Sequence, residues 1–321
     1  KLVEVLRKVA KEDPSIKIEI NEETGENLMS GMGELHLEIV ENRIKTEKGV
    51  EIKTSNPIVV YRETVLKSSG PTEGKSPNRH NAFYLIVEPL EEAVAKAIEG
   101  GEISEGRIKK DKKDEVLLKA LLAAGVTHDE VRQYRDVFMG SVFLDKTKGE
   151  VHIGEVIELV LDAFEMVMKA GPLSREPCQK LKVSLDDTKL HEDAIHRGPA
   201  QVYPAIREGL QLAFKNASPV LFEPVQVHVI EIPTEFMGEV SKLITQKRGQ
   251  MIDARQEGIV SFIKARLPVG EMIGWSSDLR SATGGRGVSS LLDQTFERMP
   301  NELQQKVIRQ IRERKGLQEN Q

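Results

Sequence analysis

Apolar side chains recur along the chain at two periods, and the switches between them divide it into three stretches. Leu2, Val5, Leu6 and Val9 share one face of a helix, which Pro14 and the residue before it close. Ile16, Ile18 and Ile20 then alternate as a strand with one buried face, Gly25 marks a turn, and Asn27–Ser30 reads as extended. Met32, Leu35, Ile39 and Val40 restore helical spacing over Gly31–Thr46, with Lys48-Gly49 as the stop. Val50–Thr54 reads as a further strand, ended by Asn56-Pro57. Residues 1–66 are thus expected to form a small α+β sandwich, a helix pair on an antiparallel sheet.

Residues 67–217 carry a different pattern. Ser68–Asn81 is rich in Gly, Pro and Ser and reads as a boundary that ends in a long loop. Ala82–Val87 predicts a strand, Leu90–Ile98 a helix closed by Gly100-Gly101, and Asp114 an N-cap for a leucine-rich helix ending at Gly125. Ile153, Ile157, Val160, Phe164 and Met168 form the longest helical stripe, stopped by Gly171-Pro172. Lys180–Leu185 is strand-like, and a helix is expected from about Pro204 with Ile206, Leu210, Ala213 and Phe214 on one face. Between these two, Asp186 to Ala200 shows no apolar periodicity over about fifteen residues, a length typical of binding loops. Two histidines, three aspartates and an arginine fill it, where a flexible linker would carry Gly, Ser and Glu.

Residues 218–321 read as strand (Val225, Val227, Val229), helix (Met237–Lys247), two strands (Met251–Arg255, Ile259–Leu267), a helical stretch near Trp275, and a charged terminal helix (Glu302–Lys315). With a strand between the last two, the order is ferredoxin-like. Met32-Gly33-Glu34-Leu35 is echoed by Met237-Gly238-Glu239-Val240, which suggests two related sandwiches around a different middle domain. Hinges are expected near residues 67 and 218.

Composition narrows the function classes. The 321 residues are 39% hydrophobic and 30% charged, which is the balance of a globular chain long enough for several cores. No apolar run approaches the roughly 18 to 20 residues of a membrane span, and Lys1–Ala10 is too charged for a secretory signal. Cys178 is the only cysteine, which excludes an internal disulfide and points to a reducing, cytoplasmic setting. The net charge of −5 repels phosphate overall, so contact with nucleic acid needs a local patch or a larger assembly. At 4% aromatics the chain lacks an extended base-stacking platform. Abundant Glu and Lys beside scarce Cys and Trp point to a thermophile. A helical stripe that begins at Lys1 without Met suggests a piece of something longer.

Candidate chemistry concentrates in the two loops. No GxxxxGK[ST] loop occurs, and Gly284–Gly287 lacks the lysine that would reach a phosphate. His191, Asp193 and His196 offer metal-ligand or acid/base chemistry, but without zinc-site spacing or a GxSxG nucleophile. His36 is expected to pack in a core, His128 and His152 to start helices, and His228 to sit in a strand. Arg107, Lys109, Lys110, Lys112 and Lys113 read as a solvated face. Ser76–Asn81 (SPNRHN) offers donors suited to phosphate, ribose or base edges. If the two loops share one end of the middle domain, Arg79, His80, His196 and Arg197 form a single tip.

These loops carry a resemblance. DAIHRG at Asp193–Gly198, preceded by Leu190-His191, resembles the diphthamide loop of elongation factor 2, the translocase of archaeal and eukaryotic ribosomes. SPNRHN at Ser76–Asn81 resembles the neighbouring tip loop of the same domain, and SGMGELHLE at Ser30–Glu38 and RGQ at Arg248–Gln250 are similar to that family as well. The resemblance covers the whole chain and corresponds to the family's last three domains. It implies an α+β architecture of two ferredoxin-like sandwiches, residues 1–66 and 218–321, flanking a ribosomal-protein-like α+β tip domain, residues 67–217. Eukaryotic members carry a run of glycines after HRG where this chain has Pro199-Ala200, so it looks archaeal.

The resemblance further implies that His196 is converted to diphthamide, a bulky cationic tail on the imidazole. Ser76, Pro77, Asn78, Arg79, His80, Asn81, His191, Asp193, Ile195, Arg197 and Gly198 would form the surface that meets RNA and ribosome. It implies no catalytic residue, metal or cofactor in this stretch, since GTP and Mg would belong to a domain without a counterpart here. The implied partners are the ribosome (rRNA and the mRNA–tRNA duplex of the decoding site), diphthamide-synthesis enzymes and ADP-ribosylating toxins, with no membrane and a monomeric state. Two alternatives remain: a His/Asp metal-dependent hydrolase, and a splicing or ribosome-maturation paralogue of the same family.

Overall fold

In a computed structural model of the chain, β-branched and aromatic runs form two large sheets whose apolar faces are covered by one-sided helices. The structure describes residues 2–20, 27–55, 57–108, 115–149 and 152–317. In chain order the elements begin with α1 (Leu2–Glu12), β1 (Lys17–Ile20), β2 (Asn27–Ser30) and α2 (Glu34–Thr46). Next come β3 (Arg62–Val65), β4 (Thr72–Lys75), β5 (Ala82–Pro89), α3 (Glu92–Glu99), β6 (Gly106–Arg107), α4 (Glu115–Ala123) and α5 (His128–Val131). They continue with β7 (Tyr134–Phe138), β8 (Ser141–Asp145), α6 (Ile153–Lys169), β9 (Leu181–Lys189), α7 (Pro199–Asn216) and β10 (Pro219–Pro233). The last are α8 (Met237–Gln246), β11 (Gln250–Glu257), β12 (Val260–Pro268), α9 (Trp275–Ala282), β13 (Val288–Arg298) and α10 (Asn301–Arg314). Packing gathers them into two compact units, Lys1–Val60 with Glu223–Glu297, and Tyr61–Phe222 with Arg298–Gln321. No helix among the described residues is long and apolar enough to cross a membrane.

In the first unit, β1 and β2 pair antiparallel while Leu6, Val9, Ile16, Val40 and Ile44 form a small core. The expected strand at Val50–Thr54 is absent. Among the described residues no strand pairs with it; the Val50 N–H donates to the Ile44 carbonyl at the end of α2, and Val50 and Ile52 still pack on that core. The stripe of α2 is also displaced: Met32, Leu35 and Ile39 are exposed, and Val40 and Ile44 are the buried positions. His36 is not a core residue, because its Nε2 lies 2.9 Å from Asp13 Oδ2 and its Nδ1 accepts the Met32 N–H. The other part of this unit is a sheet ordered β11-β12-β10-β13, with α8 and α9 on one face over Ile230, Ile232, Ile263, Ala265 and Leu267. His228 lies on that covered face between Ser289 Oγ and Gln226 Oε1, and burial pushes its imidazole down to about 4.

The second unit is built on a six-stranded sheet ordered β4-β5-β9-β8-β7-β6, antiparallel except for β8 beside β9. Phe83, Leu85, Phe143, Val183 and Leu185 meet the apolar faces of α6 and α7, while Val142, Leu144 and Val137 meet α3 and α4 on the other side. Adjacent residues of β8 thus feed opposite cores, as the two-residue period of a strand demands. The turn-rich stretch before Asn81 hides a strand, β4. Its Gly74 is there because α7 lies against it: a Cβ would stand 2.0 Å from the Ala205 carbonyl oxygen. A glycine that sequence rules read as a breaker is a close-packing site. The terminal helix, expected with the C-terminal stretch, packs in this unit through Ile308 and Ile311 against Leu221 and Met299. The turn at Gly25, the end signal at Asn56, the cap at Asp114 and the lysines at 109, 110, 112 and 113 lie outside the described residues. Arg107, expected on a solvated face, is ion-paired with Glu158 and Glu165, both at 2.7 Å, and with Asp162.

Opposite Arg107 in the ladder, Asp136 is 1% exposed, and among the described residues no side chain donates to either carboxylate oxygen. Burial, with the Glu165 carboxylate adding to it, pushes its pKa up from 3.8 to about 6. An acid whose folded-state pKa is raised opposes folding once pH exceeds that value and ceases to do so below the unfolded value. Asp136→Asn is therefore expected to raise stability by roughly 1 to 3 kcal/mol at pH 7.5. The gain should fade as pH falls from about 6 to 4, the pKa window of this group. Denaturant unfolding of both proteins at the two pH values checks this.

Candidate functional site

The β5–β9 ladder decides where the two polar loops go. Ala82 pairs with Lys189, so Asn81 and Leu190 leave adjacent strands at the same end of the sheet. β9 runs to Lys189 and α7 starts at Pro199, which shortens the expected long connection to Leu190–Gly198. Pro199 takes the first helical turn, where its missing N–H costs nothing, and Pro204 lies inside the helix. Both loops thus rest on rigid elements.

Each loop is braced from within. The Ser76 Oγ donates to Asn78 Oδ1 at 2.5 Å and accepts the Asn81 N–H at 3.0 Å. Arg79 adopts the left-handed region at φ 60°, held by its N–H donating to the Ser76 carbonyl at 2.7 Å. In the second loop, the Asp193 carboxylate accepts the Ile195 N–H at 3.0 Å and caps a short 3-10 turn, Ala194–His196. The Asp193 N–H in turn donates to His191 Nδ1 at 3.0 Å, which fixes that nitrogen as an acceptor.

One side chain ties the loops together. The Asn81 carboxamide accepts the His191 N–H at 3.0 Å and donates to the His196 carbonyl at 2.7 Å, and the residue is 2% exposed. Asn78 adds a longer bond to the same carbonyl and gives its N–H to Gln201 Oε1 at 3.0 Å. Three imidazoles meet above this clamp. Ring centroids lie 4.5 Å apart for His191 and His196, 4.8 Å for His80 and His196, and 4.9 Å for His80 and His191.

The structure separates the expected tip residues into outward and inward groups. Pro77, Arg79 and His80 are exposed, Ile195 is 77% exposed, and His191 and His196 are half-buried in the ring cluster. Ser76, Asn81 and Arg197 face inward instead. Arg197, expected at the surface, is 5% exposed and donates to the His191 and Glu192 carbonyls and to the Glu155 carboxylate. A buried guanidinium needs such partners, and Glu155 is held below the ordinary carboxylate range by His152 first and Arg197 second. Gly198 caps α7 by its extended backbone. Sequence reasoning passed over Glu155 and Gln201. Gln201 stands three residues beyond Gly198, but Glu155 is remote in sequence and gave no local signal.

Chemically, the arrangement offers imidazole edges, one apolar side chain and an arginine on a stiff base. Among the described residues, no group of three or more His, Cys, Asp or Glu side chains is placed to hold a metal ion.

Comparison with known proteins follows the same division of the chain. Family models match residues 1–56 (Elongation Factor G, domain III), 135–218 (Elongation factor G, domain IV) and 220–307 (Elongation factor G C-terminus). Over 320 residues, all of this chain, it is 50% identical to elongation factor 2 of Pyrococcus horikoshii and 52% identical to that of Methanococcoides methylutens. It is 51% identical to that of Thermococcus onnurineus over the same length, and in each case spans 43% of the relative.

Removing the amide clamp tests whether the loops depend on each other. Asn81→Ala leaves the half-buried His191 N–H without its acceptor and the His196 carbonyl with only the longer Asn78 bond, and is expected to cost roughly 1 to 3 kcal/mol. Hydrogen exchange at the His191 amide should quicken while exchange in the β5–β9 ladder stays slow. Unchanged exchange at His191 would show that the clamp does not hold the loop.

Proposed function

Because this chain belongs to the elongation factor 2 family, we propose that its loop-bearing unit is the part of a GTP-dependent ribosomal translocase that enters the decoding site. There it steadies the codon–anticodon duplex while tRNA and mRNA move. The GTPase step belongs to a domain outside this stretch, and no residue here is assigned a catalytic role. His196 is the modification site that receives the diphthamide tail, with diphthamide-synthesis enzymes and ADP-ribosylating toxins as further partners.

The observation that carries this reading is the junction of the two loops around His196 at one end of the sheet. An A-form duplex exposes a wide, shallow minor groove lined by hydroxyls and base edges, which short polar loops can follow by shape. Loops already braced by their own hydrogen bonds lose little freedom on docking, so more of the contact energy is retained. The His196 carbonyl is occupied by Asn81, which anchors the backbone under the imidazole that would carry the tail. Ile195, largely exposed beside it, suits contact with a ribose or base face.

Diphtheria-toxin labelling with NAD, on protein from its native source and followed by peptide mapping, tests the assignment. ADP-ribose is expected on the peptide that carries His196. No label, with an unmodified histidine by mass, would overturn the diphthamide assignment and favour a paralogue of the same family.

A further inference from the structure

Among the described residues of the first unit, α8 and α9 cover one face of the β11-β12-β10-β13 sheet, and the other face holds a small slot. Two neighbouring rungs of the β10–β12–β11 ladder form it. In one, Val229, Lys264 and Asp253 stand in register; in the next, Phe262 stands beside Arg255. Val229, Asp253, Arg255, Phe262 and Lys264 line a cavity of about 210 Å³. Phe262 and Val229 are half-buried and make an apolar floor, while Asp253, Arg255 and Lys264 are exposed at its rim.

The side chains are arranged for a flat, polar guest. Arg255 Cζ lies 5.2 Å from the Phe262 ring centroid, so a planar cation already covers the ring from the solvent side. Lys264 and Asp253 are ladder partners of opposite charge, yet neither forms an ion pair or a side-chain hydrogen bond with a described residue. A free donor and a free acceptor thus flank a stacking surface. Arg255 is 67% exposed and reaches Glu257 only at 3.6 Å, so it can swing aside when another ring takes its place. Glu231 and Glu257 offset the positive charges, which makes the face nearly neutral.

We infer that this slot binds one unpaired RNA base carrying an exocyclic amine, stacked on Phe262, with its amine donating to Asp253 and Lys264 and Arg255 reaching the adjoining phosphate. Four-stranded RNA-binding sheets stack bases on aromatics of their central strands, and here β12, an inner strand of the β11-β12-β10-β13 path to which β3 adds a fifth strand, supplies a single ring. The near-neutral face argues for a base rather than a length of phosphate backbone, whose binding needs clustered cations. Size favours an RNA strand over a free nucleotide. Sites for free ligands usually occupy about 300 to 1,000 Å³, whereas this one is smaller and open, so the base has to be delivered by a strand held elsewhere. Adenine, cytosine and guanine carry the amine; uracil does not. This site lies in the other unit from the histidine cluster and does not depend on the diphthamide assignment.

The test is a fluorescence-anisotropy titration of the whole chain with short oligo(A), oligo(C) and oligo(U), alongside methyl NMR of Val229. Oligo(A) and oligo(C) are expected to bind more tightly than oligo(U) and to shift the Val229 methyl resonances. Phe262→Ala should weaken oligo(A) binding about 5- to 100-fold, as loss of one base–aromatic stack does. Phe262→Tyr should retain binding, and Asp253→Ala should remove the preference over oligo(U). Equal binding of all three strands with a steep salt dependence would overturn the inference, as would an unmoved Val229. Binding of adenosine monophosphate as tight as that of oligo(A) would overturn the RNA source in favour of a free nucleotide.

Discussion

The antiparallel pairing of β5 with β9 is the constraint on which the loop-bearing unit depends. It carries the exits of both polar loops to one end of the sheet, beside each other, with Ala82 opposite Lys189. The register tolerates no slip, since a shift of one residue would exchange the faces of every side chain on β9. Asp186 is accommodated as an extra residue between the Tyr84–Asp187 and Leu85–Leu185 pairs. Leu185 therefore remains in the core below, and Thr188 is still buried near the loop end. The Asn81 carboxamide then converts proximity into one rigid object.

Charge is used internally more than a mixed, acidic composition suggests. Arg197 is enclosed by loop carbonyls and Glu155, and Arg107 is surrounded by three carboxylates of α6. Glu63 accepts three backbone N–H groups from the Leu173–Glu176 turn, and burial raises its pKa despite them. Such groups cost desolvation and are tolerated because their partners are held in place by packing. Asp136 is the contrasting case, a buried carboxylate to which no side chain donates among the described residues.

Element types were legible wherever a period ran long. The stripe from Ile153 to Met168 is a helix, Ala82–Val87 lies within a strand, and Val225, Val227 and Val229 lie within β10. Short or mixed signals were less informative. Val50–Thr54 alternates but has no ladder partner among the described residues, and Thr72–Lys75 is a strand inside a run of Gly, Pro and Ser. In the site, residue types pointed to both loops, but not to the division of labour within them. Ser76, Asn81 and Arg197 looked like surface donors because a sequence does not say which donors will find an acceptor inside.

By itself the sequence determined local quantities: helical and strand periods, turn chemistry, the loops dense in donors, and motifs close enough to identify a family. These follow from interactions between neighbours along the chain. The tertiary structure alone decided which loops meet, which of their side chains are consumed as braces, and which apolar stripe is buried. It also placed Phe262 and Arg255, separate in sequence, on one open face. Those outcomes depend on pairing across strands, most of it between residues far apart in the chain, and the partners exist only once the sheets have formed.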